Sequence, residues 1–157
     1  MKKLLPAVFV LFFCSVAFGQ DIQSPEAFLG YKTGTQFTPH HKLVGYFKAM
    51  AAAKPGMMKL EQYGSTYEGR PLLLAYISLP ENIQRLDAIR MNNLRMAGVA
   101  KDKMAPVTDN MPAIVWLSYN VHGNEPASSE ASMLTLYALL DEKNTQSKEW
   151  LKNTVVI

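Results

Sequence analysis

Residues 114–131 read IVWLSYNVHGNEPASSEA, and the two halves of this stretch ask for different structures. With Ala113 added in front, the run Ala113 to Tyr119 is the strongest strand signal in the chain, dense in apolar, β-branched and aromatic residues. Pro126 suits the first turn of a helix, where its missing N–H would have no partner anyway. Met133, Leu134, Leu136, Tyr137 and Leu140 carry that helix onward. Between strand and helix stands His122-Gly123-Asn124-Glu125. In an open α/β sheet the carboxyl end of a strand is where ligands collect. A neutral imidazole nitrogen and a carboxylate oxygen are both zinc donors at about 2.0–2.2 Å. Gly123 is expected to allow a tight reversal that brings both side chains to one side, and the following helix dipole favours an ionised Glu125. Alone, H-x-x-E is a weak signal: a hydrogen-bonding loop histidine and a capping carboxylate would look the same.

The rest of the chain narrows the chemistry. Its 157 residues suffice for one domain with a real core, and 48% hydrophobic against 18% charged residues is a globular composition. Met1-Lys2-Lys3, the apolar run Leu4 to Val16 and Ala17-Phe18-Gly19 read as a cleaved signal peptide over residues 1–19. That run is shorter than the roughly 20 residues of a spanning helix, so no stable membrane span is expected after cleavage. The protein is expected to be exported through the inner membrane to the periplasm or beyond. Without the leader, 14 Lys plus Arg face 13 Asp plus Glu, and the formal charge falls from +3 to +1. Nothing there points to nucleic acid. The single cysteine, Cys14, leaves with the leader, so any metal site must be built from His, Asp and Glu.

Outward from the central stretch, residues 20–40 read as an extended segment leading into a domain over 41–157. His41 to Ala53 has helical apolar spacing and is stopped by Lys54-Pro55-Gly56. Met57 to Tyr63 and Leu72 to Ser78 read as two strands joined by a turn-rich segment, pairing antiparallel, the second with both faces buried. Ile83 to Leu94 reads as one amphipathic segment, and 98–112 as a polar loop. Thr154-Val155-Val156-Ile157 looks like the opening of another strand whose unpaired edge would invite aggregation. The sequence is therefore expected to be the first part of a longer chain.

Other groups compete for a role. Glu130 could reach the site from the helix, but a solvated or capping role fits it better. His40-His41 reads as a surface pair at a helix start, the Met57-Met58 doublet as core filler, and Arg70 with Glu68 as turn-fixing, with a site-facing Arg70 as the alternative. No G-x-S-x-G, H-E-x-x-H, P-loop or G-x-G-x-x-G is present.

His122-Gly123-Asn124-Glu125 ahead of a helix resembles the first zinc-binding motif of the zinc carboxypeptidases, the carboxypeptidase A and B-like metallopeptidases. Tyr63-Gly64-Ser65-Thr66-Tyr67-Glu68-Gly69-Arg70-Pro71-Leu72, followed by LAYIS, resembles that family's early hairpin, and the elements from about residue 40 onward occur in its order. The resemblance implies an α/β fold with a mixed central β-sheet flanked by helices, truncated after about the first half of the domain. It implies one Zn2+ ion, with His122 and Glu125 as two of its three protein ligands and a peptide or protein as substrate. The family's third ligand, a histidine, and its general base, a glutamate, would lie beyond Ile157, leaving no catalytic base within this chain. Asn124 departs from the Arg often found before that glutamate in the digestive enzymes, which puts inherited substrate contacts there in doubt. Deacylases of the aspartoacylase and succinylglutamate desuccinylase type are similar and also carry H-G-N-E. A non-catalytic secreted binding module on the same scaffold is the rival from another class.

Overall fold

The structure is a computed structural model that describes residues 21–157, so the expected leader and Cys14 lie outside the described residues. Segment 20–40 is not extended throughout. Pro25–Leu29 form a short helix, α1, because Ser24 caps it by accepting from the Ala27 N–H and Pro25 fits its first turn. Helix α2, His40–Ala53, follows as its apolar spacing requires and turns its buried face, Val44, Tyr46 and Met50, inward. The fully buried Tyr46 phenol donates to the Gln23 carbonyl at 2.9 Å. Burial, with Tyr137 nearby, pushes its pKa well above the usual tyrosine value.

Strand β1, Met58–Ser65, and strand β2, Pro71–Ile77, pair antiparallel, with a register shift between Gln62 and Gly64 that leaves Tyr63 outside the ladder and exposed. Their connection closes through Thr66 N–H to Arg70 O and Gly69 N–H to Thr66 O, both 2.9 Å. Gly69 sits there at φ 75, a conformation only glycine takes without strain. Expected burial on both faces of β2 is not found: Pro71 to Tyr76 are half-buried and only Ile77, the position at which β2 pairs with β4, is buried.

The expected amphipathic segment is split into α3, Pro80–Ile83, and α4, Leu86–Met96, with Arg85 out of helical geometry at φ −116, ψ 23. The Arg85 guanidinium instead donates to Asn82 Oδ1 and to the Asn110 carbonyl. Strand β3 is shorter than its composition suggests, Ala113–Val115. Helix α5, Ala127–Leu140, and helix α6, Thr145–Lys152, then carry the chain back to β4, Thr154–Val156. Such a crossover is what a parallel pair needs.

The sheet order is β1-β2-β4-β3, with β2 antiparallel and β3 parallel to β4. The closing strand is thus not an edge. It is inserted between β2 and β3, with Val155 and Val156 buried, and among the described residues the edges of the sheet are β1 and β3. Helices α1, α2 and α5 pack on one another, and α2 lies against β1 and β2. Tyr46, Met50, Met58, Ile77, Met133, Leu136 and Leu140 meet in the core between them. This is the expected α/β fold: a mixed sheet with flanking helices.

Candidate metal centre

The end of β3 is fixed by hydrogen bonds that lead the chain into a turn. Leu117 N–H donates to the Ile157 carbonyl at 2.7 Å, extending the ladder past Val115. Tyr119 Oη donates to Thr135 Oγ1 at 2.9 Å, tying the loop to α5. Asn120 then reverses the chain at φ 59, and its Oδ1 accepts from Ser128 Oγ at 2.8 Å. The reversal therefore rests on Asn120 and not on Gly123, whose φ lies outside the left-handed region. Asparagine is among the few residues with a side chain that tolerate that region, because its amide can bond locally. A Cβ added at Gly123 would meet nothing within 4 Å, so this glycine leaves open space beside the turn.

His122 and Glu125 occupy the two ends of that turn. Glu125 N–H donates to the His122 carbonyl at 3.0 Å, the bond that closes a four-residue turn and draws its first and last residues together. As a result His122 Nδ1 lies 3.2 Å from Glu125 Oε2, with both side chains about two-thirds exposed. The two atoms are on one side of the bend and converge. At that separation both atoms would be able to reach one zinc ion. The donor chemistry fits as well, an imidazole nitrogen and a carboxylate oxygen with no thiol. Among the described residues no group of three His, Cys, Asp or Glu is assembled, so the pair has no third protein donor there.

The remaining candidates fall elsewhere. Glu130 is neither solvated nor beside the pair. It is buried at 7% exposure, accepting from the Gly34 N–H and the Thr38 hydroxyl, and so fastens segment 34–38 to α5. His40 Nε2 lies 3.1 Å from the Pro71 carbonyl, while His41 is exposed, so the two do not act as a pair. Met58 is in the core as expected.

Strand directions bring in one feature that spacing could not show. Because β2 runs against β4 and β4 runs with β3, the hairpin preceding β2 lies at the same end of the sheet as the turn after β3. A groove of about 610 Å³ runs between them, lined by Thr66 and Arg70 from the hairpin, by Asn120 and Gly123 from the turn, and by Trp116 and Phe47 on its walls.

The chain matches the family model for zinc carboxypeptidases over residues 43–157. No curated protein and no solved structure is significantly similar to it. The match takes in α2, the hairpin, β3 and the His122–Glu125 turn, and with the mixed sheet already described it shows that the chain belongs to the zinc carboxypeptidase family.

Proposed function

We propose that the protein is an exported metallocarboxypeptidase that hydrolyses a peptide bond near a C-terminus, with His122 and Glu125 as two ligands of a single zinc ion. The observation that supports this reading best is the 3.2 Å approach of His122 Nδ1 to Glu125 Oε2 at the carboxyl end of β3. Bound zinc supplies a Lewis acid that polarises an amide carbonyl and acidifies a water molecule. The chain's own part is positional. Asn120 and the His122–Glu125 turn hold imidazole and carboxylate toward one point, Gly123 leaves that point open to a substrate, and the adjoining groove offers room for a peptide. On this reading the third donor and the general base come from residues outside 21–157.

Zinc titrated against a chromophoric chelator tests the assignment. The protein should take up one equivalent, weakly while only two protein donors engage it, and His122→Ala and Glu125→Gln should each abolish uptake. Unchanged affinity in both variants would refute it. Peptide cleavage should appear only when the missing donor and base are also present, and should be lost on chelation.

A further inference from the structure

We infer that Glu130 is a positioning residue for the His122–Glu125 turn, bracing the start of α5 against segment 34–38 so that imidazole and carboxylate stay converged. For its use in metal binding the inference rests on the zinc reading above; the brace itself does not. Helix α5 opens with little local support, since Pro126 at its N-cap makes no side-chain cap hydrogen bond. The Ser128 and Ser129 N–H groups reach the Glu125 and Pro126 carbonyls only at 3.4 and 3.2 Å. An uncapped first turn of this kind frays. Fraying here would free Glu125, whose N–H closes the turn on the His122 carbonyl.

Glu130 ends that first turn and is buried. Its two oxygens accept separately, Oε2 from the Gly34 N–H and Oε1 from the Thr38 hydroxyl, both at 2.5 Å. Two bonds to one planar group fix its orientation as well as its distance. The support behind them is firm. Tyr31 Oη and Thr38 Oγ1 share a 2.8 Å hydrogen bond, and Lys42 Nζ lies 4.9 Å from the centre of the Tyr31 ring. The segment also runs between α1 and α2, which pack on each other and on α5. The Ser128–Asn120 and Tyr119–Thr135 bonds join the loop to α5 but fasten neither to the rest of the fold. Glu130 does so, through partners 92 and 96 residues away in the chain.

Amide hydrogen exchange in the metal-free protein reads the turn directly, through the Glu125 and Ser129 N–H groups. Thr38→Val removes the hydroxyl at the far end of the brace while leaving the turn and α5 untouched in sequence. Both amides should then exchange about fivefold faster, the order expected for the net loss of one hydrogen bond. Thr38→Ser keeps the donor and should match the parent. Glu130→Gln should come close to the parent too. Its amide oxygen can accept from Gly34 while its amide N–H donates to Thr38 Oγ1, whose own proton then goes to Tyr31. Asn82→Ala, which removes buried bonds at the end of α6, weakens the fold as a whole and should leave the two turn amides unchanged. Equal exchange in Thr38→Val and Thr38→Ser would overturn the proposal, and so would an acceleration in Asn82→Ala as large as in Thr38→Val. In the chelator titration, zinc affinity should fall in Thr38→Val in step with the closed fraction that exchange reports. Affinity that held while that fraction fell would overturn the positioning role. If the parent itself took up no zinc, the zinc reading would fail and the exchange comparison would still decide the brace.

Discussion

Asn120, with its backbone at φ 59, sets the direction in which the chain leaves β3, and the His122–Glu125 turn inherits that direction. Its side chain accepts from Ser128 Oγ, so one residue reverses the chain and locks the turn to the first turn of α5. Asn120→Ala loses both the local bond and the tolerance for a left-handed backbone. It should cost about 1–2 kcal/mol in chemical denaturation. Gly123→Ala needs neither space nor a positive φ and should stay within about 0.5 kcal/mol of the parent. The reverse order of costs would show that the turn is built on Gly123 after all. The donor pair itself could be read from H-x-x-E after a strand, because a separation of three residues suits a closed turn. Asn120 could not be picked out in the same way, since asparagine is common in loops and few asparagines sit at positive φ. Glu130 was hidden for a different reason: its partners, Gly34 and Thr38, lie more than 90 residues away in the chain.

At the scale of elements, helix α2 and the β1–β2 hairpin follow from local patterns, because apolar spacing and turn chemistry act within a few residues. Strands β3 and β4 depend on non-local partners. Each has three residues, and what holds β4 in place is a buried polar clamp contributed by α3 and the end of β2. Asn82, 2% exposed, donates through Nδ2 to the carbonyls of Leu151 and Lys152, two of those left without helical partners at the end of α6. The Ser78 hydroxyl lies 2.7 Å from the Thr154 carbonyl and also accepts from Asn82. Removing the amide leaves the Lys152 carbonyl without that donor and the Leu151 carbonyl with the Ser78 hydroxyl alone. Asn82→Ala should therefore cost about 2–3 kcal/mol, measured as a shift of the denaturation midpoint at constant slope. Asn82→Asp, nearly the same size but without donors when ionised, should be worse than alanine, since its charge would face carbonyl oxygens. An aspartate variant as stable as the parent would rule out the clamp.

At the scale of the whole fold, the insertion of β4 between β2 and β3 makes β1 and β3 the edges of the sheet among the described residues. Sequence pattern identifies strands and says nothing of their lateral order, which is why the closing strand reads as an edge and proves to be interior. The two edges differ in chemistry. Strand β1 places Lys59 and Glu61, both about half exposed, along its length, and charges of this kind oppose pairing with another chain. Strand β3 and the residues after it carry no charge between Ala113 and Val121, while Val115, Trp116 and Val121 are 41%, 63% and 74% exposed. Unpaired backbone groups and apolar side chains therefore coincide on one edge, the combination that recruits a further strand. Residues 21–157 should associate through β3 in a concentration-dependent way, seen as a rise in light scattering or sedimentation coefficient. Val115→Lys should suppress it with little change in the denaturation midpoint, because the position is already exposed. A lysine in place of Gln62 on the charged β1 edge is the matched control and should leave association unaltered. If that control were as effective as Val115→Lys, net charge would be the cause and not the β3 edge.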